Sequence, residues 1–306
     1  MGLADGTYGD NEGMKQYLDN LELILTSPRR RDRTTISSYV STARTFLTWL
    51  GDDGHVPTEI DLRRFFMERE KDGISASTRR LQFIQLSKLF EANSWGWPFT
   101  KDDRPIDEET PSAPAFSATE VMQIIANRAN YTRQENFYLV LSVTYGLRRE
   151  EISRITARDI KADTITISVA KMKKKVIREQ PIPEQIKPVL AAWKPRTRKT
   201  GAISYCFHKI MVKSGLGDRK GWGFHSLRRT MFTMLMVNLA KEGYQPSWAA
   251  DYLRWSKKSI GMTFMGASMA GIYAHPEVLS DDRMQVDRIC QRLDIHPFLA
   301  AYSDGG

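Results

Sequence analysis

Five short stretches carry side chains whose types and spacing could do chemistry. TYGLRREEISRI places Arg148 just past Gly146, a helix-stop residue, with Glu151 three positions further on. VAKMKKK gathers Lys171, Lys173, Lys174 and Lys175. GFHSLRRT sets His225 and Arg228 one helical turn apart on a common face. YLRWSKKSI holds Trp255, and IYAHP holds Tyr273. A guanidinium offers planar, bidentate donors to an oxyanion, and lysine a point charge on a flexible stem. Imidazole moves protons near neutral pH, indole donates one N–H, and a phenol is a nucleophile only in a setting that favours its anion. Each stretch alone also has an ordinary reading: a solvated arginine, a surface His–Arg pair, a core tyrosine.

Their order changes that weighing. Arginine, hairpin lysine, HxxR, His or Trp, then tyrosine resembles the tyrosine recombinase (phage integrase) family. TYGLRREEISRI is similar to the family's first arginine box, GFHSLRRT to its HxxR box, YLRWSKKSI to the box with His or Trp, and IYAHP to the nucleophile box. TISSYVSTARTFLTWL is similar to the first helices of the family's core-binding domain, so the likeness spans about residues 14–275. The sequence departs from the pattern in one respect: SIGMTFMGASMAG stretches the Trp255–Tyr273 spacing to 18 positions, about twice the family's habit.

The resemblance implies a site-specific DNA recombinase that cuts and rejoins strands through a 3′-phosphotyrosine and a Holliday junction, without metal, cofactor or ATP. Tyr273 is then the nucleophile, and Arg148 and Arg228 clamp the phosphate and neutralise its developing charge. Lys171, directly off a strand, is the preferred general acid, with Lys173 second. His225 assists proton transfer or bonds the phosphate, and Trp255 donates its indole N–H and packs the site. Lys173, Lys174, Lys175, Arg149 and Arg229 are the expected further DNA contacts. The implied partners are double-stranded DNA and three further copies in a homo-tetramer on paired sites, in the cytoplasm, the nucleoid or a virus's host DNA compartment. Transposases and type IB topoisomerases share the chemistry, and a non-catalytic DNA-binding accessory protein would share the fold.

Charge agrees with a polyanionic partner. Residues 1–110 hold 15 basic and 19 acidic side chains, a net of −4, whereas 111–306 hold 30 and 17, a net of +13. Within 171–220 the count is 14 basic to 3 acidic, a field concentrated enough to suggest nucleic acid. Of the 306 residues 41% are hydrophobic and 26% charged, the balance of a globular protein. No apolar run approaches the ~18–20 residues of a membrane span. MGLADGTYGDNEG is acidic and polar, unlike a secretory signal. Cys206 and Cys290 are the two cysteines, with no CxxC pair, which argues against a disulfide scaffold or a thiolate metal site.

The elements that must position these residues are mainly α-helical with a small antiparallel β-sheet. After a tail (1–13), residues 14–97 read as a helical core-binding domain. Its helices cover TISSYVSTARTFLTWL, residues 58–71, and a third segment capped by Ser75 or Ser77 that carries Leu81, Ile84, Leu89 and Phe90. A Pro-rich, acidic linker (98–114) precedes a mixed α/β catalytic domain (115–306). There Ser117 and Glu120 form a capping box, and a helix from Gln134 to Tyr145 stops at Gly146. TITISV pairs with VIREQPIP across the lysine-rich turn. Beyond Tyr273, Val278, Met284, Val286, Ile289, Leu293 and Ile295 fall at helix-like spacing, suiting a C-terminal helix that docks on a neighbouring protomer or packs on its own domain.

Overall fold

The computed structural model describes residues 12–26, 32–51, 55–105, 114–169, 176–219, 221–255 and 285–303. The chain divides into two compact units, Met1–Pro111 and Ser112–Gly306. No helix among the described residues is long and apolar enough to cross a membrane.

Among its described residues the first unit holds four helices: α1 (Glu12–Thr26), α2 (Arg33–Leu50), α3 (Glu59–Lys71) and α4 (Ala76–Ala92). Local chemistry sets their starts. The Asp32 carboxylate accepts the Thr35 N–H at 2.8 Å, Thr58 and Asp61 exchange bonds in a capping box, and Ser75 accepts from Thr78. Leu21, Leu25, Ala43, Phe46, Leu62, Phe65, Leu86, Leu89 and Phe90 bury into one core. Helix α1 has no counterpart among the segments expected from the sequence, and the buried face of α4 differs from the expected one. Leu89 and Phe90 are buried, but Leu81 and Ile84 are exposed, and Gln85 turns inward instead. Its amide accepts from Thr42 at 2.7 Å and donates to Ser38 at 2.8 Å, so a polar residue is satisfied against α2. Packing also runs past residue 97. Phe99 stacks on Phe83 at 5.3 Å and Trp97 meets Phe90 edge-on at 5.1 Å, so the stretch read as linker begins inside this unit.

The second unit opens with α5 (Ala118–Ala126), capped by Ser117 and Glu120 as expected. Helix α6 (Arg133–Tyr145) is its axis, buried on every side from Phe137 to Tyr145, as a helix apolar all round must be. Around it lie α7 (Arg149–Arg154), α8 (Lys187–Ala191), α9 (Thr200–Lys213), α10 (Phe224–Lys241) and α11 (Ser247–Tyr252). Strands β1 (Thr164–Val169) and β2 (Val176–Pro181) form the two-stranded antiparallel sheet read from the sequence, with Val169 paired to Val176. That register leaves 170–175 as the connection, and these residues lie outside those described.

Of the expected C-terminal helix, residues 285–287 are helical and run into a 3₁₀ turn at Arg288–Gln291, but the helix does not continue beyond it: the chain turns and forms a second 3₁₀ turn at Leu299–Tyr302. Of the side chains expected to dock on a neighbouring protomer or pack on their own domain, Val286, Ile289 and Ile295 do the latter, buried in this unit's core with Cys290, Phe298 and Leu299, whereas Leu293 is exposed. Pro297 cannot donate a helical hydrogen bond, and the apolar side chains that mimic helical spacing instead fill the base of the domain. Val278 and Met284 lie outside the described residues.

Candidate active site

The site is built on the C-terminal end of α6. The last carbonyls of a helix lack partners within it and carry the negative end of its dipole, so buried donors and cations gather there. The Thr144 carbonyl accepts from the Tyr252 hydroxyl at 2.6 Å and from His296 Nε2 at 2.9 Å. The Tyr145 carbonyl accepts from Arg254 Nη2 at 2.7 Å, and the Gly146 carbonyl from Arg228 Nη1. Gly146 then turns the chain at φ +57°, where a Cβ would press on the Leu253 side chain, so glycine is favoured on both backbone and packing grounds.

Immediately beyond that turn, Arg148 precedes α7 in extended conformation. The Glu151 carboxylate accepts both the Arg148 backbone N–H at 2.8 Å and its Nη1 at 2.9 Å. Glu151 is wholly buried, and Arg254 Nη2 lies 3.5 Å from its other oxygen. Burial opposes its ionisation, yet the guanidiniums of Arg254, Arg228 and Arg148 hold its pKa below the ordinary carboxylate value. Arg228 rises from α10 and is 4% exposed, with Nη2 on the Leu253 carbonyl. Burial first, then the like charges of Arg254 and Arg148, depress its pKa, and Glu151 opposes them. Two guanidiniums thus flank one carboxylate, with that of Arg228 close enough to be felt by it, a surplus of positive charge that an anionic ligand would relieve.

His225 sits exposed in the first turn of α10, one turn before Arg228. Trp255 is half-buried and stacks on Phe232 of α10 at 4.4 Å. Thus Arg148, Arg228, His225 and Trp255 are carried by the ends of α6, α10 and α11 within one unit. Tyr273, Lys171, Lys173, Lys174 and Lys175 lie outside the described residues. Arg149 is exposed on α7, donating to Ser204 at 3.1 Å. Arg229, expected at DNA, commits Nη1 to the Pro114 carbonyl at 3.1 Å and so ties down the start of the domain. Tyr302, near the C-terminal end, is buried, with Arg128 over its ring at 5.8 Å.

The cluster contains residues that sequence spacing did not reveal. Arg254 is as buried as Arg228 and donates Nη1 to Gln180 of β2 at 2.9 Å. Gln180 reaches Asp287 at 3.4 Å, and Arg178 Nε bonds the same Asp287 oxygen at 2.7 Å while Nη1 takes the Asp251 carbonyl. Position alone, next to Trp255, was the one available signal for Arg254. Among the described residues no group of three or more His, Cys, Asp or Glu side chains could hold a metal. Cys206 and Cys290 are both free and buried, and burial pushes the Cys206 thiol up to about 12.

Known structures share this architecture. A lambda integrase fragment, solved as a dimer on a COC′ core site, is 19% identical and aligns over 81% of this chain and 96% of that one, with a TM-score of 0.62. A lambda integrase tetramer on a Holliday junction is 18% identical over 82% of this chain and 76% of that one, at 0.59. The Tn1549 transposon integrase, in complex with transposon right-end DNA, is 14% identical over 86% and 99%, at 0.55. No protein-family model and no curated protein matches the sequence. The chain therefore has the fold of the tyrosine recombinases, mostly helical with one small antiparallel sheet. Within that fold, Arg148 and Arg254 flank the buried Glu151 carboxylate, and Arg228 is held on the Gly146 carbonyl two residues before Arg148.

Proposed function

We propose that this protein is a site-specific DNA recombinase of the tyrosine recombinase family, acting on double-stranded DNA as a homo-tetramer on paired sites. The observation that carries the reading is the convergence of Arg148 and Arg228 on the turn that ends α6, Arg148 bound to Glu151 and Arg228 to the Gly146 carbonyl, with His225 on α10 and Trp255 just past α11. The Tyr273 oxygen attacks the scissile phosphorus, a P–O bond forms to the tyrosine, and the bond to the 5′ oxygen breaks. The leaving 5′ oxygen takes a proton, from Lys171 or a neighbouring lysine of the hairpin, and departs as a hydroxyl. Attack of a 5′-hydroxyl on the phosphotyrosine reverses the step, so strands exchange without an external energy source. Arg148 and Arg228 bind the non-bridging oxygens, whose charge grows in the transition state. His225 serves proton transfer or phosphate binding, and Trp255 donates its indole N–H. Support for a DNA partner comes from the charge of the second half of the chain and from neighbours of the same fold solved on DNA.

The test traps covalent complexes on nicked suicide substrates and sequences the attached DNA, which also defines the core site. Tyr273→Phe removes one oxygen and little volume, so binding should persist while the adduct vanishes. A Tyr273→Phe protein that still forms a 3′-phosphate adduct has another nucleophile. DNA binding without any adduct from the unaltered chain would make it an accessory protein. Relaxation of supercoiled plasmid with no preferred site would make it a topoisomerase.

A further inference from the structure

Arg254 occupies a backbone position that disfavours it. Helix α11 ends in a Schellman turn, in which the Trp255 N–H bonds the Ala250 carbonyl at 2.9 Å and the Arg254 N–H bonds that of Asp251 at 2.8 Å. The residue at the left-handed position of such a turn is usually glycine, yet here Arg254 sits at φ +59°. A long side chain held there implies that its contacts outweigh the backbone cost. Those contacts join three elements: the Tyr145 carbonyl at the end of α6, Gln180 on β2 at 2.9 Å, and Glu151 on α7 at 3.5 Å. The other Glu151 oxygen accepts from Arg148 Nη1 at 2.9 Å.

We propose that Arg254 is a positioning residue that, by holding Glu151 and the end of α6, sets the geometry and available charge of the Arg148–Arg228 phosphate clamp. Glu151 has two oxygens and buried cations on both sides. With one oxygen neutralised by Arg254, the carboxylate orients Arg148 without cancelling its charge toward an incoming phosphate. Without Arg254, more of the carboxylate charge falls on Arg148, and the clamp loses strength where the transition state needs it. This inference rests on the proposed recombinase reading and assigns within it a residue that touches no DNA.

The test is Arg254→Gly, which removes the guanidinium and suits the left-handed backbone. Single-turnover adduct formation is measured on the core site, first with an ordinary phosphodiester and then with a methylphosphonate at the cleaved position, which lacks the phosphate charge. The expected result is adduct formation at least tenfold slower on the phosphodiester, DNA affinity within threefold, and a much smaller defect on the methylphosphonate. A merely structural residue would slow both substrates alike, and that outcome overturns the proposal, as does a phosphodiester rate within threefold of the unaltered protein. If circular dichroism shows the glycine variant unfolded, Arg254→Lys, one charge without the three-way fork, is put through the same comparison with the same criteria. Failure of the unaltered protein to form any adduct removes the recombinase reading itself and this proposal with it, whereas failure of the comparison alone leaves the recombinase reading standing.

Discussion

Arg148 and Arg228 are chemically alike but are held differently, and that difference decides which of them gives the cleaner experiment. Arg228 is buried with both terminal nitrogens on backbone carbonyls, so Arg228→Ala strips donors from Gly146 and Leu253 and leaves Glu151 short of a cation. Loss of one partner from such a buried network costs about 3–5 kcal/mol, enough to confound activity with unfolding. Arg148 is anchored at one edge, by Glu151, and its side chain is 12% exposed. Arg148→Ala should therefore leave a folded protein that binds DNA but forms the covalent adduct roughly 10²–10³-fold more slowly, the loss typical of one oxyanion donor. A rate within tenfold of the unaltered protein, by single-turnover gel assay, would exclude Arg148 from the clamp. The Arg148–Glu151 pair was legible in the sequence because three-residue spacing across a helix start brings a carboxylate back to the preceding N–H. Arg254 was not, because a left-handed arginine is specified by the carbonyls and carboxylate that surround it, all distant in sequence.

Elements were legible where local chemistry suffices and obscure where the whole domain decides. The β1–β2 pairing follows from alternation in TITISV, and the stop of α6 follows from Gly146. The C-terminal segment was legible only in part, because apolar side chains at helical intervals serve equally well where the chain leaves the helix after residue 287 and buries Ile295 and Phe298 from turns. His296 shows what fastens that segment. Its Nε2 bonds the Thr144 carbonyl and its Nδ1 accepts the Phe298 N–H, so both nitrogens are used by the neutral ring. Burial lowers its pKa to about 4. The unfolded chain, with a histidine pKa near 6.5, binds the proton more readily than the folded one. Stability from this residue is thus complete above about pH 6.5 and is lost as pH falls toward 4, by about 3 kcal/mol in all. Asp287, raised by burial, works in the opposite sense at the acid end, so the comparison must be between variants. His296→Gln keeps a donor for Thr144 without the titration, and its urea-unfolding free energy should vary less than the parent's between pH 6.5 and 4.5. Parallel profiles for the two proteins would mean that His296 is not the titrating group.

At the scale of the whole molecule, charge and chemistry fall in the same unit. Every candidate site residue belongs to Ser112–Gly306, which has its own buried core from Phe116 to Tyr302, and residues 111–306 carry the net of +13. The first unit carries a net of −4 over 1–110, although its four helices form an independent core. If phosphate neutralisation drives DNA binding, released counterions make the logarithm of affinity fall linearly with the logarithm of salt, with a slope set by the number of phosphates engaged. Most of that slope should then reside in the second unit. Residues 112–306 expressed alone are expected to keep the greater part of the salt slope of the full chain, whatever affinity they lose, whereas residues 1–111 alone should show a shallow one. Fluorescence anisotropy with a labelled duplex between 50 and 300 mM salt measures both. A fragment 112–306 with a flat salt response would mean that its basic side chains, like Arg229 on the Pro114 carbonyl, serve the fold rather than the phosphate backbone.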